Sequence, residues 1–373
     1  MAFSLFSQKV NLQRRIVMDI SSGSVGGAVV YFKKNSKPTI EYSYRSPLPI
    51  RARVDAKSLM TDTEKAIGKV VEQIRLNSKF KITDVDVICA SPWFSARTKS
   101  LTYEKPEAFT VTEKLIKEIS LKESVLMKAE MESGMLSIEE RIAHIRLNGY
   151  ESDSPLGKKV KRLDLMVFAS FIPKDFAEQV IHCIEALVPA KKVVFHSMPF
   201  ISFHALSRIW RGERQFAFLH VGAEISEFIL VDNSSITETL SFPVGVNHLV
   251  RSIAEKQEIN RELAESHLGV FGRGSSDASA NKRMDKDLAS VKEEWLVYID
   301  QVIRESLPDH QSVQKMYISA EGDTLSFWLK AISPHVQNVL PLNAESLEHF
   351  VDHAGTSKPD LFLSIISLYI DCM

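Results

Sequence analysis

The chain has 373 residues, too many for one hydrophobic core and enough for two large ones. Its 45% hydrophobic and 25% charged residues are the composition of an ordinary folded soluble protein, which excludes long disorder. A formal net charge of −1 leaves no whole-molecule field to attract nucleic acid or an anionic membrane, so no nucleic-acid partner is expected and any charged partner must use a local patch.

In chain order, Met1-Ala-Phe-Ser-Leu-Phe6 lacks the basic n-region and the apolar length of a secretory signal. Arg15 to Val30 reads as two apolar strands around the small-residue turn Ser21-Ser-Gly-Ser24, and after the turn-forming Lys33 to Pro38 a third strand alternates over Ile40 to Tyr44. From Ala56 to Leu76 the positions Leu59, Ile67, Val70, Val71 and Ile74 fall at helical spacing, and Asp84 to Ala90 returns to strand. Ser91-Pro-Trp-Phe94 opens a smaller unit. There Thr110 and Glu113 read as a capping box for a helix with Leu115, Ile116, Ile119, Val125 and Leu126 on one face. Strands at Arg141 to Leu147 and Leu163 to Phe171 follow.

Pro173 suits the first turn of a helix carrying Phe176, Val180, Ile181, Ile184 and Leu187, and Phe200 to Trp210 predicts another. Phe216 to Leu230 is again strand, small-residue turn and strand. A long helix is predicted from Gly245 to Leu268, a mobile loop over Gly272 to Asn281, and a buried strand at Met316 to Ala320. The closing apolar run Leu361 to Ile370 reads as a helix far short of the roughly 20 residues that span a bilayer. Cys89, Cys183 and Cys372 show no metal-ligand spacing, and so sparse and odd a set suits a reducing compartment, so the cytoplasm is expected. Cys89 and Cys183 lie in apolar patterns and read as core thiols.

The segments Arg15 to Val30 and Phe216 to Leu230 share one layout, about 200 residues apart. Gly and hydroxyl residues at such a bend bring backbone N–H groups close to a phosphate, and two facing copies would make a nucleotide clamp. This layout resembles the actin-like ATPase superfamily, which pairs two ribonuclease-H-like domains around ATP. After the second segment come Phe242-Pro-Val-Gly-Val-Asn-His-Leu249 and a helical stretch with Ala264-Glu265, and the middle holds Arg146-Leu-Asn-Gly-Tyr150 and Pro155-Leu-Gly-Lys158. That order is similar to the family of the cell division protein FtsA and the type IV pilus assembly protein PilM, from about Arg15 to the end. The resemblance implies an α/β actin-like fold of two ribonuclease-H-like domains with a small inserted α+β domain. Residues 14–90 and 173–212 would form the first domain, 91–172 the insertion, and 213–373 the second domain with its closing helix.

The resemblance also implies a site for ATP with Mg²⁺. Asp19 takes the place of the family's metal-holding carboxylate, which acts through water, and Ser21, Ser22, Gly23 and Ser24 take the places of phosphate contacts. A carboxylate beside a Gly/Ser turn suits Mg²⁺, which keeps most of its waters; closing a hairpin would use the same residues. The second turn departs from the family's Asp-x-Gly-Gly-Gly-Thr-Thr. It reads His220-Val-Gly222-Ala-Glu224-Ile-Ser226, keeping Gly222 and Ser226 as contacts but placing His220 for the carboxylate and Glu224 for a glycine. Glu224 would repel phosphate unless turned away, so hydrolysis is not expected. His220, between Leu219 and Val221, reads as a hydrogen-bonded structural residue. On the adenosine side Glu265 matches the ribose-facing Glu or is a solvated helix residue, Leu268 replaces the expected Lys, Gly272 is kept, and of the adenine-side glycine pair only Gly322 remains. No catalytic residue is expected.

Lys158-Lys159-Val-Lys-Arg162 is the densest basic cluster, either a solvated hairpin edge or a binding edge. Trp93 and Phe94 fit a core or a peptide groove equally. Together Trp93, Phe94, Lys158 and Lys159 are the candidate partner-binding residues. The resemblance implies a cytoplasmic PilM-like scaffold that holds the cytoplasmic tail of a PilN-type membrane protein and meets the inner face of the membrane only through such partners. A homo-oligomer or filament stays open. The alternative is an FtsA-like division protein, although this chain stops at Met373 without that family's linker and amphipathic helix. A small-molecule kinase would need a carboxylate where His220 stands.

Overall fold

The computed structural model describes residues 14–78, 84–131, 133–152, 154–275, 277–307, 312–355 and 357–372, so the reading of Met1 to Phe6 lies outside the described residues. Arg14–Ile20 (β1) and Ser24–Tyr31 (β2) are covered on both faces, which is why their sequences run apolar without alternation. They form an antiparallel hairpin in which Asp19 faces Gly26. Thr39–Pro47 (β3) adds to β2 with Arg45 opposite Gly26. Ala56–Asn77 (α1), capped by the Asp55 side chain on the Ser58 N–H, lays Leu59, Ile67, Val70 and Ile74 against this sheet. Asp84–Cys89 (β4) then runs parallel to β1.

The insertion begins with Ser95–Thr110 (β5), a 16-residue strand that the sequence reading passes over. Its residues are mostly polar and at least partly exposed, so it carries no buried stripe to betray it. The helix Glu113–Ala129 (α2) is capped two residues later than expected, by Thr112 accepting from the Leu115 N–H, because Thr110 is still in the strand. Met135–Leu147 (β6), Tyr150–Glu151 (β7) and Lys159–Pro173 (β8) complete an antiparallel sheet of order β5-β8-β6-β7. Ile116, Met127, Leu163, Leu165, Val167 and Phe171 form its own core.

Lys174–Glu185 (α3), Lys192–Ser197 (β9) and Met198–Ile209 (α4) return the chain to the first sheet, where β9 pairs parallel with β4. The return is welded to the insertion by a buried polar cluster. Glu139 of β6 accepts from the Ser170 and Ser197 hydroxyls and from the Ser197 N–H. His196 lies between Asp86 at 3.3 Å and Glu139 at 3.6 Å, and Asp86 also takes Arg15 at 2.6 Å. Burial disfavours charge on His196, yet its two carboxylates raise its pKa overall.

The second sheet repeats the first. Phe216–Val221 (β10), Ser226–Asp232 (β11) and Ser235–Phe242 (β12) form the antiparallel meander, with His220 facing Glu227 as Asp19 faces Gly26. The helical stretch predicted to Leu268 is two helices, Val246–Lys256 (α5) and Arg261–Gly272 (α6). Glu258 at φ 54° breaks them, and Asn260 caps the second. The expected loop over Gly272 to Asn281 is also shorter: α6 ends at Gly272, and Asp277 already caps Ala278–Ser306 (α7) through the Ala280 N–H.

Met316–Ala320 (β13) runs parallel to β10, followed by Leu325–Ile332 (α8) and Val339–Pro341 (β14). The second sheet then has the order β12-β11-β10-β13-β14. The last stretch leaves this half: Asp352–His353 (β15) pairs parallel with β3, and Leu361–Asp371 (α9) packs on α4, β1 and β2.

Candidate functional site

The C-terminal ends of β1 and β10 point their turns at each other, and the turns touch. The Ser22 hydroxyl accepts the Glu224 N–H at 3.1 Å. Gly23 approaches so closely that a Cβ there would collide with the Glu321 carboxylate and with the Ala223 Cβ. Glu321 follows β13, held by its N–H on the Val221 carbonyl at 2.9 Å, and its Oε1 accepts the Ser21 hydroxyl at 2.9 Å. A carboxylate of the chain therefore stands where the resemblance places phosphate.

The metal position is filled likewise. Asp19, Gly26 and Arg45 form one row across three neighbouring strands, and the missing side chain at Gly26 admits the guanidinium. Arg45 Nη2 donates to Asp19 Oδ2 at 2.8 Å, Nη1 to Ser24 Oγ at 2.8 Å, and Nε and Nη2 grip Asp360, the cap of α9, at 2.7 and 2.9 Å. Such a forked donor set on carboxylates is strong and directional. Burial pushes the Asp19 carboxyl up against the pull of Arg45, whereas at Asp360 burial is outweighed by Arg45 and the carboxyl falls below its usual range.

Glu227 also faces this cluster. Its Oε1 accepts the Ser91 N–H at 2.5 Å, and its Oε2 has no hydrogen-bond partner among the described residues. Burial, with the Ser91 contacts opposing it and the Asp19 and Glu321 carboxylates adding to it, lifts its pKa to about 7. His220 is buried against Phe362, shares a 2.9 Å hydrogen bond with the Ser319 hydroxyl, and is pushed down to about 3 by burial and then by Arg45. At neutral pH its imidazole is therefore uncharged. Glu224 turns its carboxylate away from the turn, onto Arg251 at 2.6 and 3.0 Å and Asn247 at 2.7 Å.

Of the other residues read as contacts, Gly222 closes its own turn through the Ile225 carbonyl. Ser226 is fully buried; its hydroxyl donates to the Val244 carbonyl at 2.6 Å and accepts from Trp295 at 3.1 Å, so it is no phosphate donor. Glu265 lies exposed on α6. Gly322 turns the chain at φ 62°. At the family's adenine position α6 packs directly on the next loop: a Cβ at Gly272 would collide with the Asp323 carbonyl, and Arg273 pairs with Asp323 at 2.5 Å. The Glu321 carboxylate thus stands in the cradle and the Arg45 guanidinium on Asp19 Oδ2, with Asp19 Oδ1 buried and without a hydrogen-bond partner among the described residues, and this arrangement does not fit ATP with Mg²⁺. Among the described residues, no group of three or more His, Cys, Asp and Glu is arranged to hold a metal.

The partner candidates divide. Trp93 is a core residue, 5% exposed and stacked on Phe176 with centroids 4.6 Å apart, which corrects the groove reading. Phe94 is half-buried against the same core. Lys158 and Lys159 are exposed at the start of β8, Lys158 donating to Ser152 Oγ at 2.9 Å. Arg45, Asp360 and Glu227 are site residues that sequence reasoning missed. The one available signal was the strand register, which puts Arg45 two strands across from Asp19. Among the described residues no helix is long and apolar enough to cross a membrane.

No family model and no curated protein matches the chain. Solved structures do. A chain of the PilM–PilN type IV pilus biogenesis complex superposes with a TM-score of 0.68 at 13% identity, over 95% of this chain and 97% of that one. The ethanolamine utilization protein EutJ from Carboxydothermus hydrogenoformans gives 0.48 at 10% identity, over 99% and 93%. MreB 5 of Spiroplasma citri bound to AMPPNP gives 0.45 at 10%, over 90% and 93%. The first of these carries the conclusion: the chain has the actin-like ATPase fold with a small inserted α+β unit, and the resemblance to the PilM/FtsA family read from its motifs holds at the level of fold.

Proposed function

We propose that the chain is a PilM-like scaffold of type IV pilus assembly, which holds the cytoplasmic tail of a PilN-type membrane protein and does not hydrolyse ATP. The observation that supports this most is the likeness over nearly the whole length, insertion included, to a chain of the PilM–PilN complex. The filled cleft supports the second half of the statement, since Arg45 stands on Asp19 Oδ2 and the Glu321 carboxylate stands over the first turn. An insertion kept beside such a cleft serves contact rather than chemistry. Its sheet offers strand β5 at one edge and exposed Lys158 and Lys159 at the start of β8, and extended peptides commonly bind by adding to an edge. Localisation at the inner face of the membrane follows from such a partner.

The test is calorimetric titration with a synthetic cytoplasmic tail of a PilN-type membrane protein from the same organism, paired with a hydrogen-exchange footprint. Saturable binding with protection inside residues 95–173 is expected. No binding, together with capture of a division-ring protein, would replace this reading by the FtsA-like one.

A further inference from the structure

We propose that the cleft between the two turns is a self-occupied latch, in which Glu321 stands in for a phosphate and Arg45 for its cation, so that the two halves close on each other without any nucleotide. In a nucleotide clamp, hydroxyl and N–H donors gather on an anion, and a cation neutralises the carboxylate beside it. Here the Ser21 hydroxyl gathers on the Glu321 carboxylate, which comes from the opposite half. Arg45 neutralises Asp19 and holds Asp360 with the same guanidinium, much as one divalent ion bridges two carboxylates; all three sit on the first half, and the Ser21–Glu321 contact crosses to the other.

Two further contacts cross the same seam: the Glu224 N–H on Ser22 and the Ser91 N–H on Glu227. Farther out, Arg261 donates to the Ile50 carbonyl at 2.8 Å and Arg251 to that of Arg51 at 3.3 Å. Small residues lie where the surrogates need space, Gly23 under the Glu321 carboxylate and Gly26 under the Arg45 guanidinium. At both places a side chain on the glycine would collide with the surrogate group. The inference concerns the cleft alone and stands whether or not the pilus partner is found.

The seam carries its own reporters, because the Glu224 and Ser91 amides exchange with solvent only when the halves part. Hydrogen exchange and thermal melts of the full chain, with and without millimolar MgATP, test the latch. Wild type is expected to show no shift of melting temperature and no change in exchange on adding MgATP. Glu321→Gly is expected to raise exchange at Glu224 and Ser91 about tenfold or more, with no MgATP-dependent shift while Arg45 still holds Asp19. Glu321→Gln, which keeps shape and the Ser21 contact, should stay near wild type. Should Glu321→Gly not fold, Ser21→Ala removes the donor to Glu321, together with the acceptor that the Gly23 and Ser24 N–H groups use, and should raise the same exchange. MgATP protection of Ser21 to Ser24 in wild type would overturn the proposal, as would unchanged Glu224 and Ser91 exchange in both Glu321→Gly and Ser21→Ala.

Discussion

At the scale of single residues, burial decides the protonation of Glu227 and His220. Glu227 has a pKa near 7 when folded, above the ordinary 4.5, because it is buried beside Asp19 and Glu321. Its contribution to stability is therefore complete below about pH 4.5 and is lost as pH rises through about 7. His220 has the opposite sign: lowered by burial to about 3 from 6.5, its contribution is present above 6.5 and is lost as pH falls toward 3. The two oppose, so the melting temperature of wild type alone is a poor readout. The difference between wild type and Glu227→Gln isolates the acid, and wild type should lose stability relative to the variant between pH 5 and pH 8 in paired thermal melts. Trp93 makes a second residue-scale prediction. As a buried ring stacked on Phe176, its truncation to Ala should cost about 3–5 kcal/mol in denaturant unfolding.

At the scale of elements, the row Asp19, Gly26, Arg45 shows three strands cooperating in one contact. Gly26→Ala should push the guanidinium off Asp19, leaving a buried carboxylate without its cation. With Arg45 side-chain exposure at 31%, the expected cost is about 1–3 kcal/mol by chemical unfolding, and Arg45→Ala on that background should lose less than it does alone, because only the Asp360 and Ser24 contacts remain to be removed. The hairpins and α1 were legible in the sequence because their burial is periodic or continuous. Strand β5 was not, since its polar residues carry neither pattern, and the break between α5 and α6 was not, since Glu258 gives no composition signal for its left-handed backbone. Within the site, the degeneration of the second turn could be read from His220 and Glu224 as residue types. Their outcomes, one buried on Ser319 and one drawn off by Arg251, depend on partners far along the chain.

At the scale of the molecule, the filled cleft gives a direct expectation for chemistry. Steady phosphate release from ATP should not exceed a buffer control, and Asp19→Ala should leave it unchanged in a coupled assay. A rate above background that Asp19→Ala abolishes would contradict it.

The return of the last stretch to the first half has a consequence for synthesis. Asp360 reaches Arg45 across 315 positions of sequence, β15 zips onto β3, and α9 covers β1 and β2. The half that leaves the ribosome first is thus the half completed last, waiting with an open sheet edge and without the second carboxylate of Arg45 until nearly the whole chain has emerged. Such distant pairing slows folding and lengthens exposure to aggregation. A chain ending at residue 340 should accordingly collect as insoluble protein, while the same chain supplied in trans with residues 341–373 as a peptide should recover soluble material, just as a purse stays open until its drawstring is pulled.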